Sequence, residues 1–152
     1  MFKQRLVTFS SIKLNKIDKL KKIIVISLSD NSKLGTFSKE INTLTGGLVE
    51  RILASTSFAN QKLNSCLTIN FPRGLCSEAI IILKIDKSMT NNKAREAGAN
   101  LSKIVGQRDA VVFFNEDPSA FEILFGFLLK EYRFDKHKSN ADEKNISLDV
   151  LV

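Results

Sequence analysis

The chain is poor in the residues that punctuate or staple a fold. Of its 152 residues two are proline, seven glycine, two cysteine and one histidine. Cys66 and Cys76 stand ten positions apart, which matches neither a metal-ligand spacing nor a disulfide framework. They read as two reduced, buried thiols. No Pro/Gly-rich linker, internal repeat or low-complexity tract divides the chain. No run approaches the roughly 18 consecutive apolar residues of a membrane-spanning helix, so no membrane partner is expected. His137 is the one candidate for any His-paired serine or cysteine chemistry. It lies between Lys136 and Lys138 just past a helix end, where the helix dipole favours an exposed cation. No Cys/His cluster suits zinc. Neither G-x-x-x-x-G-K-[ST] nor G-x-G-x-x-G occurs. The neighbouring acids Glu116-Asp117 and Asp142-Glu143 read as capping and solvation residues, not as a catalytic pair.

What remains is globular. Hydrophobic residues make up 43% and charged residues 26%, enough for one core without staples. The net charge of +7 is local. Residues 1–22 hold seven lysines and arginines against Asp18 alone, while the other 130 residues are nearly balanced. Three readings of this basic segment stand. It is a strand, a solvated lysine-rich link and a second strand; or a presequence; or an arm for nucleic acid. Residues 5–9 alternate as a strand does, which favours the first.

Short β-branched runs predict strands at 5–9, 22–28, 66–71, 79–85, 110–115 and 146–152. Residues 23–26, 80–83 and 111–114 are continuously apolar, as in strands covered on both faces. Between them lie three helical patterns. Over 37–56, Ile41, Leu44, Leu48, Ile52 and Leu53 share a face, and Gly46-Gly47 breaks or bends it. Over 91–105, Ala94, Ala97, Gly98, Leu101, Ile104 and Val105 share a face whose small residues allow close approach to a sheet. Over 117–133, Asp117 is the expected N-cap and Pro118 the first helical residue. There Phe121, Leu124, Phe125, Leu128, Leu129 and Tyr132 form the expected core stripe. Ile123 and Phe127 fall off that stripe and are either the candidate contact with another domain or subunit or part of this domain's own outer layer. Pro72-Arg73-Gly74 marks a turn between two strands. Strands alternating with helices predict an α/β fold with helices on both faces of the sheet. The polar stretch after Tyr132 and the return to an apolar strand at the end suggest a chain that continues.

The order of elements, with certain motifs, resembles the N-terminal domain of the leucyl (cytosol) aminopeptidases. The most specific piece is Tyr132-Arg133-Phe134-Asp135-Lys136-His137-Lys138-Ser139. Supporting pieces are Thr45-Gly46-Gly47-Leu48, Phe58, Asn70-Phe71-Pro72-Arg73-Gly74 and Arg95-Glu96-Ala97-Gly98-Ala99. The turns at 83–86 and 58–63 lack glycines that the family usually has. The resemblance implies a three-layer α/β/α sandwich with a mixed sheet of about six strands, similar to macro domains. It implies a non-catalytic domain over 1–139, with 140–152 leading toward a C-terminal catalytic domain. The parent enzymes are cytoplasmic hexamers that remove N-terminal amino acids, preferably leucine, using zinc or manganese. Their metal ligands and catalytic residues belong to the C-terminal domain, so no catalytic, cofactor or metal residue carries over to this chain. The expected role is assembly and regulation. The alternatives are a stand-alone macro-like module for a nucleotide such as ADP-ribose, and a DNA-binding domain using Lys19, Lys21 and Lys22.

Overall fold

The computed structural model describes residues 5–11, 13–30, 33–86, 88–114, 118–135 and 146–151. Six strands form one sheet: β1 (Arg5–Ser10), β2 (Ile23–Leu28), β3 (Cys66–Asn70), β4 (Ala79–Lys84), β5 (Ala110–Phe113) and β6 (Ile146–Leu151). Their order is β1-β6-β5-β2-β4-β3. All neighbours run parallel except β3, which is antiparallel to β4. The last strand therefore completes the sheet, between β5 and β1. Helices α1 (Thr36–Leu44), α2 (Leu48–Leu53) and α3 (Thr56–Asn60) cover one face, with a 3-10 helix at Leu14–Lys19. Helices α4 (Asn91–Val105) and α5 (Ala120–Asp135) cover the other. The architecture is the expected three-layer α/β/α sandwich with a mixed six-stranded sheet.

The continuously apolar strands are the central ones. All residues of β2, β4 and β5 are buried. Alternation splits them between two cores. Ile23, Val25, Ile81, Leu83 and Val112 face α4 and α5. Ile24, Ile26, Leu28, Ile80, Ile82 and Phe113 face α1–α3, where the Phe37 ring lies 4.7 Å from that of Phe113.

Gly46 and Gly47 do break the second helical pattern. Both take left-handed backbone (φ 69° and 87°), which costs glycine nothing. The chain then restarts as α2, and again as α3, whose N-cap Ser55 accepts from the Phe58 N–H at 3.1 Å.

Helix α4 has the predicted bounds. Thr90 caps it by accepting from the Lys93 N–H at 3.3 Å. Ala94, Ala97, Gly98, Leu101 and Val105 are buried, as expected; Ile104 is not. Helix α5 begins later than its proline suggests. Pro118 sits in a turn ahead of Ala120. The Ile123 N–H donates to the Ser119 carbonyl at 3.0 Å. The expected N-cap, Asp117, lies outside the described residues.

Candidate functional site

Three regions of this scaffold offer chemistry: the two ends of the parallel strands and the outer face of α5.

Open α/β sheets bind ligands beyond the carboxyl ends of their strands. At that end of β4 sits Lys84, with its side chain buried (3% exposed). An unpaired ammonium there would be costly. Its Nζ donates to the carbonyls of Phe58 (2.6 Å) and Ala59 (3.2 Å), near the end of α3. It lies 4.7 Å from the Phe58 ring centroid and 3.5 Å from Asp30 Oδ1, an exposed carboxylate just after β2. One cation thus ties α3, β4 and the segment after β2 together. Asn64 flanks it in left-handed backbone (φ 67°). Its N–H donates to the Lys84 carbonyl at 2.7 Å, and its own carbonyl accepts from Asn100 Nδ2 at 3.0 Å. Beyond β4, Asp86 accepts from the N–H and hydroxyl of Ser88, which hold its carboxyl below the usual carboxylate range.

The basic segment runs from the carboxyl end of edge strand β1 to the opposite end of the strands, at the start of β2. Its link is the 3-10 helix, which turns every three residues. Ile17 is fully buried and Leu20 partly so, while Leu14 remains 39% exposed. Lys13, Lys16 and Lys19 follow the same three-residue step and are exposed. The expected nucleic-acid contacts Lys19, Lys21 and Lys22 divide here. Lys19 and Lys21 are exposed. Lys22 is bound to Asp149 of β6, Nζ to Oδ2 at 2.7 Å.

The buried face of α5 keeps Leu124 and Leu128 of the expected stripe but is turned away from the rest of it. Ile123 and Phe127 are 0% and 1% exposed and lie in the core beside α4. They are not a surface for a partner. Leu124 is buried too, but Phe121, Phe125 and Leu129 are 75%, 50% and 38% exposed. The Arg95 guanidinium of α4 lies 5.0 Å from the Phe125 centroid and pairs with Glu122 at 2.7 Å. The signal that separates the two stripes is Gly126. It sits on the Ile123–Phe127 side, and a side chain there would strike the Arg95 backbone.

The cysteines differ from each other as well. Cys66 on β3 is half-buried, and burial pushes its thiol up to about 12. Cys76 is exposed, which corrects the expectation of two buried thiols. Among the described residues no three His, Cys, Asp or Glu side chains come together. No helix among them is long and apolar enough to cross a membrane. His137, Glu116, Asp142 and Glu143 lie outside the described residues. So does 136–139 of the 132–139 motif, whose first four residues end α5.

No protein-family model matches the chain. A probable cytosol aminopeptidase of Dinoroseobacter shibae is 29% identical over 120 residues, covering 79% of this chain and 25% of the relative. The chain thus spans about a quarter of the length of the curated relatives it matches. Among solved structures, the macrodomain of Mycobacterium tuberculosis DarG has a TM-score of 0.62 at 8% identity, covering 94% of this chain and 97% of that one. A Trypanosoma brucei macrodomain in complex with ADP-ribose has a TM-score of 0.62 at 11% identity, covering 95% and 63%. The chain has a macrodomain-like fold and is similar in sequence to the N-terminal part of cytosol aminopeptidases.

Proposed function

We propose that this chain is a non-catalytic module of a leucyl aminopeptidase, working through assembly with a peptidase domain. The supporting observation is the sequence match to cytosol aminopeptidases, which covers most of this chain and about a quarter of their length. In this reading the expected module of residues 1–139 also takes in β6 (Ile146–Leu151), which lies between β5 and β1, and the connection over 140–152 leads through that strand toward the peptidase domain. That domain holds the zinc or manganese, removes N-terminal leucine from peptides and brings the module into a cytoplasmic hexamer. The module contributes shape and contacts and does no bond-breaking of its own.

The surface suited to that contact is the outer face of α5. Phe121, Phe125 and Leu129 recur at four-residue steps and expose aromatic and aliphatic area on one helix face. Exposed apolar stripes with an arginine beside them are common at interfaces. The test mixes this chain with the part of the Dinoroseobacter relative that the match leaves uncovered, and follows sedimentation and leucine release from a peptide. A complex weakened at least tenfold by the double variant Phe121→Ser/Phe125→Ser supports the reading. No complex, or one indifferent to that variant, removes α5 as the contact.

A further inference from the structure

The amino end of the parallel strands holds more than lysines. In the sheet register Asn70 pairs with Ala79, and Ile24 with Ile80. Asn70, Ala79 and Ile23 therefore lie side by side on three adjacent strands. One residue further out stand Phe71, Glu78 and Lys22. Two strand spacings, about 10 Å, separate the backbone of Phe71 from that of Lys22. The loop that starts at Phe71 is fastened to the basic segment. The Cys76 N–H donates to the Asp18 carbonyl at 3.0 Å, and the Ser77 hydroxyl to the Lys22 carbonyl at 2.8 Å. Gly74 braces it on the other side, lying so close to the Leu44 carbonyl that no side chain fits.

Phe71 is the odd member of this rigid loop. It is 79% exposed, more than any other large apolar residue among those described. It also takes left-handed backbone (φ 51°), which bulky residues rarely adopt. Its N–H donates to the Glu78 carbonyl at 2.6 Å, which holds the turn. A strained residue whose ring is displayed and not packed points to function. Beside it the exposed cations Lys19, Lys21 and Arg73 form no ion pair among the described residues. The carboxylates of this end are mostly engaged or partly covered. Asp149 is paired with Lys22, Asp109 accepts from the Ser147 N–H, Asp18 is half-buried, and Glu78 is exposed.

We propose that this end of the sheet binds single-stranded nucleic acid, with Phe71 stacking on a base and Lys19, Lys21 and Arg73 contacting phosphates. Unpaired bases expose the faces an aromatic ring needs, and duplex bases do not. Cations alone would serve duplex and single strand alike. The displayed ring beside them selects the single strand. The inference is independent of the aminopeptidase reading and stands or falls separately from it.

The test is fluorescence anisotropy with a labelled oligo-dT of about 12 nucleotides, a duplex of the same length, and polyglutamate as competitor. The single strand should bind at least tenfold tighter than the duplex. With three phosphate contacts, log K should fall with log salt at a slope of about −2. Phe71→Asn keeps the left-handed backbone available and should lose about tenfold in affinity with the slope unchanged. Phe71→Tyr should keep it. Lys19→Gln/Lys21→Gln should flatten the slope by about 1.4. Equal binding of duplex, or no effect of Phe71→Asn in a folded protein, would overturn the proposal. Polyglutamate displacing the strand at equal concentration would also overturn it, in favour of an acidic protein.

Discussion

Gly98 of α4 lies against the Ile123 carbonyl of α5 so closely that a methyl group on it would overlap that oxygen. Gly126 of α5 meets the Arg95 backbone of α4 in the same way. The two helices thus touch backbone to backbone, and Ile123 and Phe127 are sealed beneath them. Gly98→Ala or Gly126→Ala must push the pair apart. Each should lower stability by at least about 1–3 kcal/mol, the usual range for overpacking. Urea melts of the two variants check this. An unchanged midpoint would mean that the helices are not in backbone contact.

The same contact orients α5. Phe127→Ala should destabilise by about 3–5 kcal/mol, as a buried phenylalanine does. Phe121→Ser should stay within about 0.5 kcal/mol of the parent, as a surface change does. Thermal unfolding of the pair decides between the two stripes. The reverse order would restore the assignment that sequence alone suggests.

Cys66 and Cys76 should separate by reactivity. The thiolate is the nucleophile. With a pKa of about 12, Cys66 is about one part in ten thousand ionised at pH 8. Cys76 is exposed. A disulfide reagent at pH 8 should modify one thiol quickly and the second only on unfolding. The sign for stability follows from linkage. The unfolded thiol loses its proton near pH 8.5 and the folded one only near 12. Folding is therefore favoured by the neutral thiol at low pH, and stability falls as pH rises through that window. Cys66→Ala should remove that part of the alkaline loss in a pH series of urea melts.

Much of this fold is legible in the residues, and the failures have physical causes. Helix α4 is clear because Ala94, Ala97, Gly98 and Leu101 recur at one helical period against polar neighbours. Strands β2 and β4 are clear because isoleucine runs suit a sheet covered on both faces. Helix α5 is apolar on two sides, so periodicity offers two stripes and no way to rank them. Only Gly126, as the mark of close approach, ranks them. Arg5 misleads by charge. It starts an edge strand, yet its side chain is 3% exposed and pairs with Glu131 at 2.8 Å. It also donates to the carbonyls of Gly106, Arg108 and Ser147. Three distant segments supply those partners, and no local pattern foretells them. Lys84 misleads in the same way, since its acceptors lie 25 and 26 positions away. Phe71 reads as the last residue of a strand, but β3 ends at Asn70 and Phe71 takes left-handed backbone in a loop held against Leu44 and Asp18, a tertiary fact.

The central claim is that this module works in company with a leucyl peptidase. It is tested most directly by separating a lysate of the source organism by native size. Each fraction is blotted with an antibody against this chain and assayed for leucine release with and without a chelator. The account predicts that the antigen and chelator-sensitive activity peak together, at a mass well above the 17.0 kDa of this chain. Antigen migrating near 17.0 kDa, in fractions free of that activity, would contradict it.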